Sequence, residues 1–312
     1  MQIITLITAL PGAVAQGLIW GIMAIGVYIT FRILDIADLT VDGTMCTGGA
    51  VCIMMMLSGH NVWISMLAAT LAGMLAGLVT GIFHTFMGIP AILAGILTQL
   101  SLYSVNLKIM GKANQAINVD KYDLLVSLRY IKGVPFYRNT ILIVAVLMVV
   151  VIAILYWFFG TELGCGIRAT GSNPAMSRAQ GINTNFNIVL GLAVSNALVA
   201  LSGALLSQYQ GFADVNMGRG AIVIGLAAVI IGQALLGRIF RNFALTLLSV
   251  AIGGVIYYIV YQAVICAGLD PDLLKLLSAL VVAVFLGLPY LKKTYFSRSK
   301  KAGPVKEDAE HA

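Results

Sequence analysis

The sequence predicts an all-α polytopic membrane protein. Three observations carry this. Hydrophobic residues make up 60% of the 312-residue chain and charged residues only 10%, against about 25% charged in soluble domains. Apolar runs of about 20 residues, long enough to cross a hydrocarbon core, recur along the chain. Polar and basic residues collect in the short gaps between those runs. By hydropathy about eight to ten spans fit, one of them broken or re-entrant, in one membrane domain over residues 1–291. Residues 292–312 form a polar tail whose composition argues disorder.

Residues 11–31 form the first span, which Arg32 ends. No basic residue precedes Arg32, so this run reads as a retained helix and not as a cleaved signal peptide. Residues 34–57 open with the carboxylates Asp35, Asp38 and Asp42 and contain Gly43, Gly48 and Gly49. They read as a broken or re-entrant element followed by a helix, because irregular backbone at membrane depth needs protein or water around it. Residues 62–87 span again, with Gly73, Gly77 and Gly81 at four-residue spacing, which lets another helix approach closely. Residues 90–109 follow, then the longest polar loop, 111–139. Further spans lie at 140–159, 187–207, 221–236, 243–266 and 273–291. Between them are a polar loop at 160–185, a glycine-rich polar connection at 208–220 and a tight turn marked by Arg238 and Arg241.

Net charge is +7. The basic excess sits near span ends and in the tail, so it reads as topology and not as nucleic-acid binding. The positive-inside rule places the tail, Arg238 with Arg241, and Arg168 with Arg178 in the cytoplasm. By the same count 208–220 and 111–139 are external, the latter against its own basic excess. The side of the N-terminus depends on whether 34–57 crosses once or dips and returns. Cys46, Cys52, Cys165 and Cys266 lack ligand spacing and read as small apolar fillers. His60, His84 and His311 are scattered, so no metal site is expected.

The loop at 160–185 holds the most informative stretch. Asn173 is a good N-cap, Pro174 suits the first helical position, and Gly181 can take the left-handed conformation that ends a helix. The predicted helix, residues 174–180, is too short to be stable alone. It either merely decorates the loop or lies against a partner. Arg168-Ala-Thr-Gly-Ser-Asn-Pro-Ala175, followed by Gly181-Ile182 and an apolar helix, resembles the cytoplasmic coupling loop of ABC importer permeases. The similarity is to the branch serving branched-chain amino acids and ribose. It continues through Leu201-Ser-Gly-Ala-Leu205 and Gly225-Leu-Ala-Ala-Val-Ile-Ile-Gly232. A second block, Phe31-Arg-Ile-Leu-Asp-Ile-Ala-Asp-Leu-Thr-Val-Asp-Gly43, is closest to a subgroup associated with aromatic amino-acid uptake. The resemblance implies a type II importer permease in the cell membrane. It also implies an ATP-binding subunit, a solute-binding protein and a second permease subunit, a homodimer being expected. Arg168, Gly171, Asn173, Pro174, Ala175 and Gly181 would couple this chain to the ATPase.

No G-x-x-x-x-G-K-[ST] loop is present to cradle phosphates. ATP and Mg are therefore expected on the partner, with no cofactor and no catalysis in this chain. On a helix, Asp35, Asp38 and Asp42 would share one face at i, i+3 and i+7. Ionisable groups inside a membrane domain point to function, so Asp38, Asp42 and Gly43 are candidates for the translocation path. Equally, the carboxylates could sit solvated at a rim or paired with Arg32. Gln208, Tyr209, Asp214 and Arg219 are candidates for an external gate, although Asp214 and Arg219 could simply pair. Tyr103 and the Tyr257, Tyr258 and Tyr261 cluster read as packing or interface anchors. The expected substrate is a small solute, an amino acid first and a sugar or nucleoside second. A secondary transporter using the intramembrane carboxylates is the alternative mechanism. An intramembrane enzyme lacks G-x-S-x-G or H-E-x-x-H motifs in the sequence.

Overall fold

The computed structural model describes residues 2–119, 121–122, 124–128, 139–237 and 242–266, with isolated positions 276, 279, 280 and 283. The expected span at 273–291, the Arg238 and Arg241 turn, the tail and residues 129–138 of the long loop lie outside the continuously described residues. Ten α-helices occur among the described residues: α1 (Gln2–Tyr28), α2 (Thr40–Leu57), α3 (Val62–Thr85), α4 (Ala91–Met110), α5 (Thr140–Gly160), α6 (Glu162–Ser172), α7 (Pro174–Ala179), α8 (Thr184–Gln210), α9 (Ala221–Leu236) and α10 (Phe243–Cys266). A π-helical turn, Ile29–Ile33, extends α1. Seven of these helices are long and apolar enough to cross a membrane, and α9 is a shorter apolar one.

The bundle is organised around α8. Ser195 Oγ donates to the Gly26 carbonyl and Ser202 Oγ to the Ile19 carbonyl, while Tyr209 OH reaches the Gly12 carbonyl. Rising numbers on α8 thus meet falling numbers on α1, so the two run antiparallel. Helix α2 runs parallel to α8: Thr44 bonds Asn196, and Cys52 Sγ accepts from Gln208. It therefore crosses once. Consequently α1 begins at the end of the bundle opposite α7, the point the sequence left open.

The three glycines of α3 all face α8. A side chain at Gly77 would collide with the Leu192 carbonyl, one at Gly73 with Ala200 and the Asn196 carbonyl, and one at Gly81 with Val189. Gly48 of α2 sits on the Ala200 backbone and Gly203 of α8 on the Met45 carbonyl. The close approach read from the four-residue spacing is present, and it is backbone against backbone.

The break expected near residue 34 lies at 34–39, between the π turn and α2. It changes the reading of the carboxylates. Since 35–38 are not helical, Asp35, Asp38 and Asp42 do not share a helix face. Asp35 is exposed, in the left-handed region at φ 57°.

Two features escaped the sequence. Helix α6 fills the first half of the polar loop, and an antiparallel pair joins β1 (Asn114–Ala116) to β2 (Phe212–Asp214) at the end opposite α7. Strands of three residues leave no alternation to read, and the three glycines of α6 argue against a helix.

Candidate functional site

At one end of the bundle the chain leaves α5, forms α6 and α7, and re-enters as α8. Thr161 Oγ1 caps α6 by accepting from Gly164 N, Asn173 Oδ1 caps α7 by accepting from Met176 N at 3.0 Å, and Asn183 Oδ1 caps α8. Pro174 occupies the first turn of α7, and Gly181 takes φ 79°. The N-cap, first-turn and terminator roles expected of Asn173, Pro174 and Gly181 are all present. Asn173, Pro174, Ala175, Arg178 and Ala179 are exposed, and Met176 is 62% exposed. Helix α7 thus offers a small, partly apolar face, with only Ser177 turned inward.

The other two loop candidates fasten this helix to the membrane bundle. Arg168 lies over the Phe243 ring at 5.4 Å, a cation–π contact from α6 to α10. Gly171 lies directly on the Ile33 carbonyl and the Leu34 Cα, where no side chain would fit. Asn187 Nδ2 donates to Thr170 Oγ1 at 3.1 Å, tying α6 to α8. The loop therefore rests on the end of α1, a few residues before Asp38.

Asp38 is buried, at 2% exposure. Its Oδ2 accepts from Asn196 Nδ2 at 2.7 Å and its Oδ1 from Thr40 N at 2.9 Å. Asn196 Oδ1 in turn accepts from Thr44 Oγ1. Beside this run, the hydroxyls of Thr40, Thr80 and Thr98 form a chain across α2, α3 and α4. Asp38 is thus a satisfied buried acceptor and no rim decoration.

Asp42 does something else. Its Oδ2 accepts from Gly220 N at 2.9 Å and its Oδ1 from Ile222 N at 3.1 Å. Helix α9 has no side-chain cap of its own. A carboxylate from α2, 178 residues away in sequence, supplies that cap. Negative charge at a helix N-terminus also meets the positive end of its macrodipole. Gly43, next in line, is where α2 meets α4, against the Gln99 backbone and Leu102.

The four gate candidates divide. Gln208 and Tyr209 are buried and serve as ties: Gln208 Oε1 accepts from Leu125 N, Gln208 Nε2 meets Cys52, and Tyr209 OH reaches Gly12. Both side chains are thus spent on contacts inside the bundle. Asp214 accepts from Asn114 Nδ2 and from Asn216 N, and not from Arg219. Arg219 is exposed, and it lines a cavity of about 250 Å³ together with Asp42, Gln99, Tyr103, Asn106 and Asn216. Asn106, Asn196, Gln99 and the threonine chain were not singled out from sequence. Each is one uncharged polar residue within an apolar run, and only the tertiary fold gathers them.

Residues 10–286 match the family described as branched-chain amino acid transport system / permease component. The chain is 37% identical over 298 residues to a tyrosine transport system permease protein of Clostridioides difficile, covering 94% of this chain and 96% of that one. It is 28% identical over 269 residues to a galactofuranose transporter permease protein of Escherichia coli, covering 85% and 74%. A fructose import permease protein of Bifidobacterium longum is 27% identical over 252 residues, covering 79% and 68%. The matched family is one of transport permeases, and the all-α, multi-pass fold with its capped loop helix accords with it. The chain belongs to the branched-chain amino acid transport permease family of ABC importers. That membership replaces the secondary-transporter alternative.

Proposed function

We propose that this chain is the membrane permease of an ATP-driven amino-acid importer and that α7 is its contact with a separate ATP-binding subunit. The observation that carries this is α7 itself: a helix capped at both ends, held from below through Gly171 and Arg168, with Ala175 and Met176 turned outward. A helix of this length needs a partner to lie against, and the exposed face supplies the surface for one. On this reading the α7 end is cytoplasmic and the β1–β2 end is external, where a solute-binding protein delivers the substrate. ATP and Mg act on the partner, and closure of the ATPase pair is passed through α7 and α6 to the end of α1.

A second permease copy completes the assembly. Among the seven long helices α4 is at once the least apolar and the least buried, a poor match to lipid and a good one to a protein or water-lined face. The preferred substrate is an amino acid of the aromatic class. Support comes from the long, nearly complete similarity to a tyrosine transport permease; sugar permeases are more distant relatives.

Thermal-shift screening of the solute-binding protein encoded beside this chain, against amino acids, pentoses, hexoses and nucleosides, tests the substrate. A shift with sugars alone refutes the amino-acid reading. Co-purification of the ATPase subunit with wild-type chain and with Ala175→Glu tests the docking face. Equal retention of the ATPase by both refutes it.

A further inference from the structure

The cavity at the outer half of α4 has a composition that the importer reading leaves unused. Two opposite charges line it, Asp42 and Arg219, together with Gln99, Tyr103, Asn106 and Asn216. Asn106 is 1% exposed, yet its side-chain oxygen has no hydrogen-bond partner among the described residues. Its amide nitrogen donates to the Gly43 carbonyl at 3.4 Å, so the group is oriented and one acceptor is left over. A buried acceptor without a donor is costly and rare in native structures. Arg219 is exposed, and its guanidinium has no acceptor among the described residues, so it is open to a ligand's anion; its neighbour Asp214 is engaged by Asn114 and Asn216. The cavity therefore offers an acceptor lacking a donor beside a carboxylate, and a cation lacking an anion.

We propose that this cavity is a substrate subsite for a zwitterionic α-amino acid. The ammonium donates to Asn106 Oδ1 within the field of Asp42. The carboxylate meets the Arg219 guanidinium, whose planar fork suits it. The side chain lies along Tyr103, which is 46% exposed. The volume of about 250 Å³ is below the roughly 300 Å³ at which sites for drug-sized ligands begin, which suits a single amino acid. A neutral sugar offers the Arg219 guanidinium hydroxyl acceptors but no anion, so it forgoes the charge-assisted bidentate pair. The proposal rests on the amino-acid importer reading and goes further by naming the residues that tell a zwitterion from its one-charge analogues.

The test has two arms on the full permease assembled with its ATPase. The first is uptake of L-tyrosine, L-leucine and D-galactose into liposomes with the binding protein present. The second is ligand-detected NMR binding, without the binding protein, of three probes: L-tyrosine, tyramine (no carboxylate) and 3-(4-hydroxyphenyl)propionate (no ammonium). Wild type is expected to bind L-tyrosine above both analogues. Arg219→Gln should reduce L-tyrosine to the tyramine level and slow uptake about tenfold or more, the range for losing a hydrogen bond to a charged group. Arg219→Lys should keep most of the preference, and Asn106→Leu should lose the preference over the propionate. Asp35→Asn, exposed and away from the cavity, should bind as wild type does. If an amino acid is imported but Arg219→Gln and Asn106→Leu bind and transport it as wild type does, the subsite falls and the importer reading stands. Equal binding of all three probes by wild type overturns the subsite in the same way. If D-galactose alone is imported, both fall.

Discussion

Replacing Asp42 by Asn should loosen the start of α9. The carboxylate accepts from Gly220 N and Ile222 N through different oxygens. The carboxamide keeps one acceptor and turns the other position into a donor that faces a backbone N–H. One hydrogen bond to a charged group is lost, worth roughly 1.5–3 kcal/mol. Loss of the negative charge at the helix N-terminus adds about 0.3–1 kcal/mol. A total on the order of 2–4 kcal/mol corresponds to local exchange faster by roughly tenfold to several hundredfold, at about 1.4 kcal/mol per decade. Hydrogen–deuterium exchange on peptides covering residues 216–224 reads this directly, with peptides of central α8 as the internal reference. Binding-protein-dependent uptake should fall in the same variant. Unchanged protection at 220–222 in Asp42→Asn would refute the cap, and with it the idea that α2 positions α9.

Other perturbations give equally definite outcomes. Asp35→Asn should import at close to the wild-type rate, because Asp35 is exposed; a loss as large as that of Asp42→Asn contradicts this. Gly181→Val should lose most ATPase retention on co-purification, since a β-branched residue resists the positive φ found there, whereas Arg168→Ala removes one ring contact and should cost less. A variant combining Gly181→Val and Ala175→Glu that keeps full retention and full stimulated ATP turnover would remove the coupling role of α7. Gly77→Leu should block assembly or lower expression sharply, because its side chain would run into the Leu192 carbonyl and Asn196; normal yield would contradict the packing. Single cysteines at positions 121 and 300 in a cysteine-free background test orientation, and impermeant labelling in intact cells should mark 121 alone.

Much of the fold could be read from the chain because the membrane makes the signal coarse. A run of apolar residues must become a helix, since no other arrangement satisfies its backbone, and the runs at 140–159 and 243–266 emerge almost as drawn. The punctuation of α7 was legible because Asn173, Pro174 and Gly181 each act through local backbone chemistry. What the chain hid is what depends on distant pairs. Asp42 carries no mark that says it will cap a helix starting at Ala221. Asn106 and Asn196 look alike in sequence, yet one is fully engaged and the other keeps a spare oxygen. Gln208 and Tyr209 sit at the polar edge of an apolar run, and only the extra turn of α8 to Gln210 turns them inward. The shared face of Asp35, Asp38 and Asp42 failed for a local reason: the helix stops at the π turn and restarts at Thr40.

The glycine seam among α2, α3 and α8 limits how this protein can move. At Gly48, Gly77 and Gly203 the facing surface is a neighbour's backbone, and at Gly73 it is the Ala200 methyl with the Asn196 carbonyl. Backbone has no rotamers with which to absorb a displacement. A slip of one residue, about 1.5 Å along a helix axis, would bring a side chain to where only hydrogen fits. These three helices therefore travel as one casting, and any rearrangement that opens and shuts a path must take place around it, where the start of α9 is held to α2 by the Asp42 carboxylate.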